Sequence, residues 1–99
     1  MSTNPTFKVR KDPAEVLDYN IDYSKVFAIV PTDSISTSNW AVTSPSTDIT
    51  LSNPSDDGTV ATIWLSGGTL GQRYWVTNTV VTTGGRTYER TIEVFIQNK

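Results

Sequence analysis

The sequence predicts an all-β protein: a single antiparallel β-sandwich of about seven short strands with an extended N-terminal arm. Three observations point there. Thr and Ser dominate, with β-branched and aromatic residues interleaved among them. Turn residues recur at short intervals. Several stretches alternate apolar and polar residues with a period of two. Ninety-nine residues suit one domain, and three Trp, four Tyr and three Phe supply core material that a disordered polar chain would lack. Residues 1–15 are expected to form the arm and residues 16–99 the sandwich.

In the arm, "TFKVR" alternates Phe7 and Val9 with Lys8 and Arg10, as a half-buried edge strand does. Asp12-Pro13 fits a helix start, with Asp as N-cap and Pro first in the helix, but "AEVL" allows at most one turn. "DYNIDYSKVF" reads as a strand, with Leu17, Tyr19, Ile21 and Tyr23 on one face and Asp18, Asn20, Asp22 and Ser24 on the other. It is expected to run on through "FAIVPTD" to a Pro-Thr-Asp turn. "SISTSNWAVT" predicts a strand with Trp40 and Val42 on one face. After a turn at "SPSTD", "ITLS" is a short strand with Ile49 and Leu51 together, and "NPSDDG" is a turn. "TVATIWL" is β-forming and apolar on both faces, as in a central strand or one covered by a partner.

"RYWVTNTVVTTGGRTYERTIEVFI" predicts a final hairpin. Tyr74, Val76 and Val80 share one face of its first strand, and Tyr88, Ile92, Val94 and Ile96 share one face of its second. Both sets reach the core only across a loop with an odd number of residues. A three-residue loop, Gly84-Gly85-Arg86 with a glycine at the left-handed position, meets that condition. A two-residue Gly-Gly loop would turn Trp75 and Val81 inward instead. Upstream, "TLGQRYWV" resembles the tyrosine corner of immunoglobulin and fibronectin type III sandwiches, with Leu70, Gly71, Tyr74 and Val76 at the matching spacing. That resemblance implies an immunoglobulin-like (fibronectin-III-like) sandwich and a Tyr74 hydroxyl bonded to backbone just upstream. Leu70, Gly71, Tyr74, Gly84 and Gly85 are the candidate fold-determining residues.

Composition narrows the chemistry. Without cysteine there is no disulfide, thiol nucleophile or thiolate metal ligand, and without histidine the commonest general base and metal ligand is missing. Asp56-Asp57 is the one adjacent acid pair, and a Pro/Gly turn gives it no environment to shift a catalytic pKa. The aspartates lack EF-hand spacing for calcium, and "SGGTLG" lacks the ending of a phosphate loop. A pI of about 4.8 argues against nucleic acid. No apolar run approaches the ~20 residues of a membrane span, and the start lacks the apolar core of a signal peptide. The expectation is a complete, soluble, cytoplasmically made chain, not an enzyme, with no cofactor, no metal, no nucleic acid and no membrane.

Charge is uneven. Residues 1–12 carry +2, residues 13–57 carry −6, and residues 58–99 carry +2. Such a chain can dock head to tail or onto a charged neighbour, although a solvated uneven surface is an equally ordinary reading. Trp64 beside Ile63 and Leu65, and Trp75 beside Tyr74 and Val76, cannot all point inward from regular strands. At least one of these residues must face outward as a contact surface, for protein in preference to sugar. The candidate interface is therefore Phe7, Lys8, Val9, Arg10, Lys11, Trp64 and Trp75. The arm is expected to add as a strand to a neighbour.

With these residues read, "KDPAEVLDYNIDYSKVF", "TSNWAV" and "TIWLSGGTLGQRYWVTNTVVTTGGRTYERTIEV" resemble small structural proteins of tailed bacteriophages and prophages. The shared pattern falls on Asp12-Pro13, Asp18-Tyr19, Asp22-Tyr23, Trp40 and Val42, Trp64 to Gly68, Tyr74, Thr77 to Thr79, Gly84 to Thr87, and Arg90. The resemblance implies a non-enzymatic virion protein assembled in the bacterial host cytoplasm, most concretely a capsid decoration or accessory subunit. Its partners would be the major capsid protein or other virion proteins, with self-association possible. The alternative is an immunoglobulin-like binding module of a tail or fibre that recognises a host surface or glycan.

Overall fold

The structure is a computed structural model that describes residues 6–29, 32–42 and 48–98. Arm residues 1–5, Pro31 and all but the last residue of the "SPSTD" turn lie outside them. Among the described residues, seven strands and one short helix follow in order: β1 (Thr6–Lys11), β2 (Leu17–Asp22), α1 (Ser24–Ile29), β3 (Ile35–Val42), β4 (Ile49–Asp56), β5 (Val60–Gly67), β6 (Arg73–Thr82) and β7 (Thr87–Ile96). They form a two-sheet sandwich, with strand order β1-β7-β6-β3 in one sheet and β2-β5-β4 in the other. The strand pairs are antiparallel except β1 with β7, which is parallel.

The period-two stretches meet in the middle. Ile21, Tyr23, Ile63 and Leu65 come from the three-stranded side, and Tyr74, Val76, Val80, Ile92, Val94 and Ile96 from the four-stranded side; all are buried. Trp40, Val42, Leu51 and Tyr19 close the margins of this core. Burying each large aliphatic side chain contributes roughly 1.5–3 kcal/mol, so the core outweighs any surface contact as a source of stability. β5 is the central strand of its sheet, with Ala61, Ile63 and Leu65 in the core and Val60 and Trp64 on the outer face.

Three expectations change. First, α1 replaces the continued strand: the Ser24 amide donates to Asp22 Oδ1 at 2.8 Å, and Phe27 N–H reaches the Tyr23 carbonyl at 3.2 Å. Tyr23 and Phe27, four apart, are both buried, whereas a continuing strand would bury Lys25. Second, β4 runs on through Asn53-Pro54. It does so by a bulge between Ser52 and Ser55, with Asn53 at φ 49°, on an edge where proline's missing N–H costs no ladder bond. The turn falls later. There Asp56 Oδ1 accepts from Gly58, and Asp57 Oδ1 accepts from Thr59 and Val60, which lowers the Asp57 pKa.

Third, the hairpin loop has three residues but sits one position earlier, at Thr83-Gly84-Gly85. Gly85 N–H donates to the Thr82 carbonyl, Thr82 N–H to the Arg86 carbonyl, and Val81 pairs with Thr87. A loop at Gly84-Gly85-Arg86 would put arginine at the left-handed third position. The observed loop puts Gly85 there, at φ +84°. In the described part of the arm, β1 is an edge strand of the four-stranded sheet. β1 lies on β7, and beyond it Asp12 caps one turn, its Oδ1 accepting from Ala14 and its N–H donating to Glu15 Oε1.

Candidate interaction surfaces

Strand register places side chains in rows on the outer face of the β1-β7-β6 sheet. Arg10, Phe95 and Arg73 form one row, and Lys8, Glu93 and Trp75 the next. The Arg73 guanidinium lies 4.6 Å from the centre of the Phe95 ring and 3.9 Å from Glu93. Lys8 and Arg10 make no ion pair among the described residues. Lys8, Arg10, Arg73, Glu93 and Phe95 line an open groove of about 790 Å³, with the Phe95 ring between the two arginines and three cations against one carboxylate.

The outer face of the three-stranded sheet has the opposite sign. Asp18 stands directly across from Trp64, Asn20 from Thr62, and Asp22 from Val60. Trp64 is 37% exposed, and Thr62 donates its hydroxyl hydrogen to Asn20 at 2.7 Å. Asp18 has no partner among the described residues, and none of the facing positions on β2, β5 or β4 is basic. The two outer faces thus carry opposite charge, each with an exposed or half-exposed aromatic.

The two ends of the sandwich differ from its faces. One end collects α1, the β4–β5 turn and the β6–β7 hairpin. Asp33, in the segment between α1 and β3, fastens that segment to the hairpin: its Oδ1 accepts from the Ser34 amide, the Thr83 hydroxyl and the Gly84 amide, and its Oδ2 from Arg86 at 3.2 Å. Burial pushes the Asp33 pKa up, but hydrogen bonds from Thr82, Gly84, Thr83 and Ser34 outweigh it and hold the carboxyl well below the ordinary carboxylate range. Ile29 projects from this end, 83% exposed. At the other end the Tyr74 hydroxyl accepts from Thr69 N–H at 2.8 Å and donates to Asp48, which also accepts from the Thr69 hydroxyl. Val16 and Leu70 project there, 59% and 52% exposed.

The expected interface residues are therefore divided. Lys8, Arg10 and Trp75 share the basic face, and Trp64 stands on the opposite one. Phe7, Val9 and Lys11 point to the inner side of β1, with exposure falling from half-exposed Phe7 to wholly buried Lys11. The Lys11 ammonium donates to the carbonyls of Asp12 and Gly67 and ties β1 to the end of β5, so it is a structural cation and not a surface one. Of the fold-determining candidates, Tyr74 is wholly buried with its hydroxyl on upstream backbone, Gly71 and Gly85 have positive φ, and Leu70 is exposed instead of packed.

Sequence reasoning missed Asp33 as a clamp, Asp48 as the partner of Tyr74, and Asn78. Asn78 occupies an inward position of β6 and is wholly buried. It accepts from the Tyr23 hydroxyl at 2.8 Å and donates to Ser38 and to the Asn39 carbonyl. Burial pushes the Tyr23 phenol up to about 12, lowered somewhat by Arg90 and raised by Glu89, so it remains the donor at ordinary pH. A polar residue in the run of inward positions from Tyr74 to Thr82 was the available signal.

Among the described residues no cluster of three or more His, Cys, Asp or Glu side chains is placed to hold a metal, and no helix is long and apolar enough to cross a membrane. No curated protein matches the chain. A family model described as "Podophage GP4 fiber-tail adaptor protein gp77" matches residues 11–95, which leaves all of β1 but its last residue outside the match.

Proposed function

The chain belongs to the gp77 family of podophage GP4 fiber-tail adaptor proteins, and on that premise we propose that it joins fibre to tail as a non-enzymatic adaptor subunit. It is a structural component of the phage particle, assembled in the host cell. The family match over residues 11–95 carries this reading. It replaces capsid decoration, and the major capsid protein as partner, with tail and fibre proteins. Host-surface or glycan recognition is not required of an adaptor. Of the two sequence-based readings, the one that located the domain in tail or fibre is favoured.

The geometry suits a connector. An adaptor must present two separate contact sites on a body stiff enough to transmit force, and this sandwich exposes large apolar side chains at opposite ends. Ile29 stands at one end, and Val16 and Leu70 at the other. Such exposed apolar side chains are candidate anchors for partner pockets. The strand order β2-β5-β4 opposite β7-β6-β3 matches B-E-D opposite G-F-C of an immunoglobulin constant-type sandwich, and together with the Tyr74 corner it supports the immunoglobulin-like subtype.

The test is deletion of the gene from the phage or prophage that encodes it, with electron microscopy of the particles. Tails without fibres are expected, and the purified chain should restore fibre attachment. Ile29→Asp and Leu70→Asp, both on exposed positions, should each weaken one of the two attachments by about tenfold or more and spare the other. Fibres retained in the deletion particles would contradict the proposal.

A further inference from the structure

We infer that copies of this chain dock on one another face to face and head to tail, the acidic Trp64 face of one copy entering the basic groove of the next. The groove presents Lys8, Arg10 and Arg73 around Phe95, with only Glu93 opposing them. The other face presents Asp18 and Asp22 on either side of a neutral strand position, with Trp64 standing beside Asp18. These features fit each other. An exposed indole flanked by a carboxylate matches a groove with an aromatic ring flanked by two guanidinium groups, where the indole gains cation–π contact and the carboxylate a cation.

The occupant is argued from the chain's own charge. Lys8, Arg10 and Asp18 make no ion pair within the described residues, yet they carry opposite signs on opposite faces. A molecule of 42 × 30 × 20 Å has broad faces large enough for the ~800 Å² per partner of a standard interface. Because the two docking faces are different surfaces, the contact is heterologous. It closes into a ring or extends as a stack, and a self-contained two-fold dimer is excluded. Both ends of the sandwich, with Ile29 at one and Val16 and Leu70 at the other, stay open in such an array. Side-by-side copies therefore leave the attachment ends free for tail and fibre.

Analytical ultracentrifugation of the purified full chain tests this separately from the adaptor reading. The expected result is association that grows with protein concentration and weakens in high salt, because exposed charges are screened. Arg10→Glu on the basic face and Asp18→Lys on the acidic face should each weaken association by about tenfold or more while leaving the circular-dichroism spectrum and melting temperature unchanged. Mixing the two variants should restore association, since each retains the intact face that the other lacks. A monomer at every concentration overturns the inference. So does association that survives Asp18→Lys, which would mean contact between two like faces. So does a mixture that stays monomeric after both variants have lost association. None of these results bears on whether the chain attaches fibres.

Discussion

At Asp33 a buried carboxylate accepts hydrogen bonds from two backbone amides, from the hydroxyls of Thr82 and Thr83, and from the Arg86 guanidinium, so the charged form is favoured in the folded chain. Its folded pKa lies below its unfolded value, which is about 3.9 for aspartate. Its stabilisation is therefore full above that value and is lost as pH falls toward the folded pKa. Asp33→Asn should lower the urea midpoint at pH 7, and the gap from wild type should shrink progressively below about pH 5. A gap that stays constant from neutral pH into acid would contradict the clamp. The Tyr23–Asn78 pair makes a counterpart that does not titrate between acid and neutral pH. Tyr23→Phe removes the hydroxyl that donates to Asn78 Oδ1 in the core and should cost about 1–3 kcal/mol in urea unfolding. Combining it with Asn78→Leu should cost less than the sum of the two single changes, because both remove the same bond.

Among the elements, the β6–β7 hairpin depends on one backbone conformation and the neighbouring corner on close packing. Gly85 has φ +84° and open space where a side-chain methyl would sit, so Gly85→Ala carries only backbone strain, about 1 kcal/mol. Gly68 has φ +97°, and a Cβ there would stand 2.8 Å from Ile96 Cδ1, a side chain with no room to move because it is wholly buried. Gly68→Ala should therefore cost clearly more than Gly85→Ala in the same thermal melts; equal costs would refute the packing argument. β2, β6 and β7 were legible because the side-chain period of two survives wherever one face is buried, and β5 because its residues are β-forming throughout. α1 was hidden because Tyr23 ends one alternating run and begins a spacing of four with Phe27. β4 was cut short because Asn-Pro reads as a turn, although an edge strand accepts it at a bulge. The faces were legible only in part. Lys8, Arg10 and Trp75 were named from the sequence, but Arg73 and Phe95 join them only through strand register, which composition does not reveal.

For the whole molecule, the seven described strands fold into a body whose two faces and two ends carry different chemistry. The faces are opposite in charge, and the ends expose apolar side chains. The core lies between them, so surface substitutions at Ile29, Leu70, Arg10 or Asp18 should change assembly without changing the fold. That division is what a connector requires: stability is placed inside and recognition on separate surfaces. It also explains why a chain without histidine or cysteine is suited to the role, since joining virion proteins requires surface complementarity and no reactive side chain. The central claim is a place between fibre and tail. The measurement that tests it most directly is the copy number of this chain in purified particles, by quantitative mass spectrometry against the fibre, tail and major capsid proteins. The account predicts a simple ratio to the fibre and tail proteins and far fewer copies than the capsid protein. A number near one per capsid subunit, or absence from the particle, would contradict it.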